Sequence, residues 1–173
     1  MGVGLLVLRV ITGALFAGHG TQKLFGWFGG GGLERTGRSF ESLGLRPGRT
    51  MALGAGLAEL CGGALFALGL LTPLAAALLI AVMSCAVATV HWSHGVWVSE
   101  GGFEYNLVLV AIAFAVTSIG AGKWSLDHAL SLNVAGPGWA LGALGAGVLA
   151  AIAALALGRI RAHGATGATP ARA

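Results

Sequence analysis

Against a background in which 56% of residues are apolar, five side chains could carry proton chemistry: His19, Glu59, His91, Glu104 and Tyr105. An imidazole beside a carboxylate can share or pass on a proton, and a phenol can hydrogen-bond at the edge of such a site. Ionisable groups within a bilayer are rare because desolvation is costly, so they face a bundle interior and find partners. A pocket of this kind suits a quinone head group, whose two oxygens take up and release protons. Glu59, His19 and Glu104 are the candidate catalytic groups. His19, Glu59, His91 and Tyr105 are the candidate cofactor-binding groups, with Glu104 and Tyr105 at the mouth. The plainer alternative is that Glu59 and His19 only hydrogen-bond across helices.

Other reactive residues carry less. His91 and His94 have an HxxH spacing to which Glu104 could add an oxygen, but that spacing is unspecific and no metal site is assigned. Cys61 and Cys85 fall at similar depths on neighbouring segments, where a redox pair competes with the commoner role of small buried hydrophobes. Arg9 is expected to snorkel to a headgroup layer, and Lys23, near Trp27 and Phe28, to anchor at the interface. There is no flavin, haem or iron–sulfur motif, so electrons would come from a partner or substrate.

The elements that position these residues follow from composition. Of 173 residues only 16 are charged, or 9%, and mean hydropathy is +0.85; soluble domains run near ~25% charged. The solvent is a bilayer. A pI near 9.8 rests on a surplus of four positive charges without a clustered basic face, so nucleic acid is not an expected partner. The 31 glycines have no three-residue period and are expected to let helices approach closely.

Five spans are expected, giving an all-α polytopic bundle. They run from about Val3 to Phe28, Met51 to Leu71, Pro73 to His91, Glu104 to Gly120 and Gly138 to Gly158. Arg9 lies inside the first apolar run and no cleavage site follows, so a cleavable signal peptide is not expected. The first loop could hold a short amphipathic helix between Leu33 and Leu45, with Leu33, Phe40, Leu43 and Leu45 at the membrane surface. Thr72 and Pro73 read as N-cap and first helical residue, and Ser125 as the cap of a short turn. Gly138, Gly142 and Ala146 offer a small-residue packing face on the last helix. Residues 1–128 form a four-helix membrane domain, 129–158 an additional span with its connector, and 159–173 a disordered basic tail.

Arg35, Arg38, Arg46 and Arg49 in the first loop lie on the same side as Arg159, Arg161 and Arg172, while the opposite loops carry only Lys123. The positive-inside bias then puts the first loop and C-terminus in the cytoplasm of a plasma-membrane protein. On that side His19 and Glu59 each lie ~12 Å below the surface at about 1.5 Å per residue, and His91, Glu104 and Tyr105 arrive at the same end.

The run Gly18-His19-Gly20-Thr21-Gln22-Lys23-Leu24-Phe25-Gly26, the Glu59-Leu60-Cys61-Gly62-Gly63 stretch and the Leu70-Leu71-Thr72-Pro73 hairpin are followed by His91 to Gly95, Gly101-Gly102-Phe103-Glu104-Tyr105 and Trp124-Ser125-Leu126-Asp127. In that order they resemble the DoxX family over about residues 4–128. His19, Lys23, Glu59, His91, Glu104 and Tyr105 match its polar motif positions. The resemblance implies a four-helix membrane core and thiol or sulfur redox chemistry, or an oxidative-stress role, coupled to membrane quinone in a complex with soluble redox enzymes. The span from Gly138 departs from the usual four and would be a partner-docking addition. The competing expectation is a non-catalytic membrane scaffold that recruits soluble redox enzymes through its basic first loop.

Overall fold

The computed structural model describes residues 2–166, with the side chains beyond residue 162 left aside. Its elements are seven α-helices: α1 (Val3–Phe25), α2 (Gly32–Ser42), α3 (Gly48–Leu68), α4 (Thr72–Ala86), α5 (Glu104–Ile119), α6 (Leu126–Ala129) and α7 (Pro137–Thr166), and no strand occurs among the described residues. Four stretches are long and apolar enough to cross a membrane: Val3–Phe25, Gly48–Leu68, Thr72–His94 and Pro137–Ala162. The expected span at α5 is apolar but has only 16 residues. Large side chains such as Leu15, Leu57, Leu107, Leu149 and Ile152 point outward, as expected of helices whose outer faces meet lipid rather than water.

Local chemistry sets the ends. α1 stops at Gly26, whose φ of +75° is the left-handed C-cap that a glycine takes without penalty. α3 ends in a Schellman turn on Gly69 (φ +61°), closed by Leu70 N–H to Leu65 O at 2.9 Å and Gly69 N–H to Phe66 O at 3.1 Å. α4 runs on through a π turn at Val87–His91 and a 3₁₀ turn at Trp92–His94. Ser125 accepts from the His128 amide at 3.2 Å, capping α6 as its sequence promised.

α1 packs along α3, and α4 lies in the middle of the bundle against α3, α5 and α7. Phe16, Phe66, Leu79, Ile80, Ala113, Val116 and Ala143 form the core. The α1/α3 contact is backbone against backbone. A Cβ on Gly13 would collide with the Gly63 carbonyl, and one on Gly20 with Leu60 N and Gly56 O. The amphipathic α2 folds back onto α3, where Gly37 lies against Gly48 and Arg49.

Four expectations are corrected. Thr72 is the first residue of α4 and not its cap acceptor; its hydroxyl donates to Asp127 instead. Leu45 is buried against Gly158 of α7 and does not face outward. On α7 the faces are exchanged: Gly138, Gly142 and Ala146 point outward, while Ala140, Ala143, Gly147 and Ala151 are buried, Gly147 against Ala77 and Ile80. The tail expected to be disordered from Arg159 is helical as far as Thr166, and residues 167–173 lie outside the described residues.

Candidate functional site

The glycine contacts fix the depth at which α1 and α3 face each other, and the polar pair follows from that register. Lys23 comes three residues after Gly20, and Glu59 three after Gly56, so each sits one helical turn along from a point of backbone contact. Lys23 Nζ lies 2.7 Å from Glu59 Oε1 and 2.6 Å from Oε2, donating to both. The Glu59 side chain is 4% exposed and that of Lys23 is 25% exposed. The carboxylate is therefore enclosed, and the Lys23 side chain is the part of the pair that is partly open to the outside.

His19, one turn before Lys23, is exposed. Its Nδ1 is 3.0 Å from Gln22 Oε1, and Gln22 in turn donates to the Phe28 carbonyl at 3.2 Å. The ring is within electrostatic range of the Glu59 carboxylate but shares no hydrogen bond with it. The residue that holds Glu59 is thus Lys23, expected from sequence to be an interfacial anchor. The recurring pair of glycines seven apart, Gly13/Gly20 and Gly56/Gly63, was the signal that would have aligned the two.

His91, Glu104 and Tyr105 reach the same end of the bundle but form a separate cluster around the loop between α4 and α5. His91 Nδ1 lies 2.7 Å from the Gly101 carbonyl, to which it donates. Glu104 accepts from the Val98 amide at 3.1 Å, and Trp92 stacks on Phe103 at 5.7 Å between centroids. Tyr105 is 49% exposed. Among the described residues no hydrogen bond or ion pair joins this loop cluster to Glu59 or His19, so the five residues do not converge on one pocket. Cys61 and Cys85 are both free; Cys85 faces the Ala151 carbonyl on α7 at 3.8 Å. Among the described residues no group of three His, Cys, Asp or Glu side chains could hold a metal ion.

A second buried polar network, not expected from sequence, lies at the opposite end of the bundle. Arg9 is completely buried and donates through Nη2 to the Trp124 carbonyl at 2.7 Å, which replaces the expected snorkelling. Asp127 is also buried and interacts electrostatically with Arg9. Its carboxylate accepts from Leu71 N (2.7 Å), Thr72 N (3.0 Å) and Thr72 Oγ1 (2.6 Å). It thereby satisfies amides that the start of α4 would otherwise leave unpaired. This network ties α1, the α3–α4 turn and the α5–α7 connector together, and every described contact of Asp127 is structural.

Two surface depressions are open enough to admit a small group. One, of about 210 Å³, is lined by the α5–α7 connector, Lys123, Asp127 and His128 among others. The other, of about 350 Å³, is lined by Glu41, Arg46, Pro47 and Arg161. Neither touches Lys23 or Glu59.

Residues 4–92, the stretch from α1 to the end of the α4 span, match the DoxX family model. Lys23, Glu59, His19 and His91 all lie inside the matched region. A relative named "Putative oxidoreductase CatD" from Bacillus subtilis (strain 168) is 34% identical over 115 residues, which is 66% of this chain and 79% of that protein. No solved structure matches the chain. The family match and this relative together show that the chain belongs to the DoxX family of membrane proteins.

Proposed function

We propose that the chain is a multi-pass subunit of the cell membrane that serves a quinone-linked redox complex, acting on thiol or sulfur compounds or against oxidative stress. The observation that carries this reading is the Lys23–Glu59 pair, an enclosed carboxylate gripped by the ammonium of a side chain that is a quarter exposed. The oxidoreductase name of the relative agrees with it. A quinone would bring the two-electron carrier chemistry. The chain's own residues would hold and protonate it: Lys23 donates a hydrogen bond to a ring oxygen, Glu59 supplies or takes a proton through Lys23, and the exposed His19 connects that proton to the surface. Neither of the two depressions described touches Glu59, and in this reading the head group would meet Lys23 from the lipid side. His91 and Tyr105 belong to the separate loop cluster and would serve the mouth rather than the head group. Mass spectrometry of lipids carried by protein purified from its native membrane tests this. Quinone enriched with the parent and lost with Glu59→Gln is expected; equal quinone in both removes Glu59 from the site.

A second reading is favoured by α2, whose exposed Arg35 and Arg38 present a basic surface beside the membrane: a non-catalytic scaffold that recruits soluble redox enzymes. It requires that Arg35→Glu with Arg38→Glu abolish recruitment while Glu59→Gln does not. Both readings place the first loop and C-terminus in the cytoplasm. A C-terminal reporter active only after export would reverse that orientation.

A further inference from the structure

The depression of about 350 Å³ between the α2–α3 corner and α7 has an unusual charge balance. Its charged lining is Arg46, Arg161 and Glu41, and one Glu41 oxygen, Oε1, accepts the Gly48 amide at the first turn of α3 at 3.1 Å. Among the described residues neither the Arg46 nor the Arg161 guanidinium has a hydrogen bond or ion pair; Arg49 nearby is paired with Glu34 at 3.2 Å. Two guanidinium groups therefore share one cleft with a single carboxylate, which leaves it a net positive charge.

The height of the cleft identifies what can fill it. The uncharged apolar run of α7 ends at Gly158 and is followed by Arg159 and Arg161, so Arg161 stands where hydrocarbon is expected to give way to headgroups. Arg46 is held at the same level, because its backbone amide donates to the Gly158 carbonyl at 3.1 Å, one helical turn before Arg161. Leu45, buried against Gly158, fastens this corner to α7. The cleft is thus built from two distant parts of the chain and opens at the level of lipid phosphates. Guanidinium groups match phosphate oxygens through paired N–H donors, and basic recesses between membrane helices are suited to anionic headgroups.

We infer that the Arg46–Arg161 cleft is a binding site for the headgroup of an anionic glycerophospholipid, seated with its phosphodiester between the two guanidinium groups and its acyl chains along α7. It is independent of the redox reading, because Lys23 and Glu59 contribute nothing to it.

The test is native mass spectrometry of the full chain from nanodiscs containing equal phosphatidylglycerol and phosphatidylcholine. The parent is expected to retain phosphatidylglycerol preferentially. Arg46→Gln with Arg161→Gln should weaken that retention by about thirtyfold, the product of two surface arginine contributions, while Arg35→Gln with Arg38→Gln leaves it unchanged. Equal retention of the two lipids by the parent, undiminished retention by the Arg46/Arg161 variant, or an equal loss in the Arg35/Arg38 variant would each overturn the site. Soluble glycerophosphoglycerol separates a lipid site from a free-anion site: displacement of the retained lipid at comparable concentration would show that the acyl chains contribute nothing and refute the lipid assignment. The parent's lipid preference and this competition need no variant, so they stand even if the double substitution fails to fold.

Discussion

Asp127 holds the first turn of α4 from 55 residues away, taking both the amide and the hydroxyl of Thr72 on one carboxylate oxygen. The same carboxylate is the negative charge beside the buried Arg9. Asp127→Ala leaves three donors unpaired and an uncompensated guanidinium, an expected loss of about 4 kcal/mol. Thr72→Val removes one hydrogen bond to a charged group and should cost about 1.5–2 kcal/mol. Thermal unfolding in detergent, followed by circular dichroism, checks both; equal melting of the two variants would mean that Arg9 does not depend on Asp127.

Lys23 and Glu59 should behave as a coupled pair. Lys23→Met or Glu59→Met alone strands one charge at the α1/α3 interface and is expected to destabilise by about 3 kcal/mol, while the double substitution recovers most of that loss because an apolar pair of similar volume packs without desolvation. The double variant then separates the roles of the pair: stable protein that no longer carries quinone locates function in the charges, and stable protein that still carries it leaves them structural.

The α1/α3 seam tolerates no side chain at its contact points. Gly13→Val and Gly63→Val push a Cβ into the opposing backbone, and each should lower stability by about 3 kcal/mol while separating Lys23 from Glu59. Gly18 faces open space, so Gly18→Ala is expected to be neutral or to stabilise by up to ~1 kcal/mol. Denaturant or thermal titration of the three variants side by side reads the contrast, and a Gly13→Val protein as stable as the parent would contradict the close approach.

On α7 the outcome depends on the face. Gly142→Leu adds a lipid-facing side chain in open space and should leave stability within about 0.5 kcal/mol of the parent. Gly147→Leu must enter the backbone of α4 near Ala77 and Ile80 and is expected to release α7. Limited proteolysis of the connector at residues 130–136 would show the release as faster cleavage in Gly147→Leu alone.

The helices were legible because hydropathy and length alone define a span, and Ser125 and Pro73 mark local starts through local chemistry. The packing face of α7 was not, because it is small and apolar on every side and periodicity then has no contrast to report. Asp127 was missed as the cap of α4 for a different reason: its partners are adjacent only after α3 and α5 have packed. His19 was paired with Glu59 on equal depth, but depth does not fix rotation about a helix axis. The glycine contacts do, and they turn Lys23 to the carboxylate and His19 outward.

The shortness of α5 gives the bundle unequal hydrophobic heights around its perimeter. At about 1.5 Å per residue α5 covers ~24 Å, whereas the Thr72–His94 stretch beside it covers ~35 Å. A bilayer core of ~30 Å cannot match both, so lipid thins along the α5 side and thickens, or α4 tilts, on the other. The rim that carries Glu104 and Tyr105 is consequently expected to be drawn toward the bilayer midplane, with water reaching deeper there than beside the longer helices.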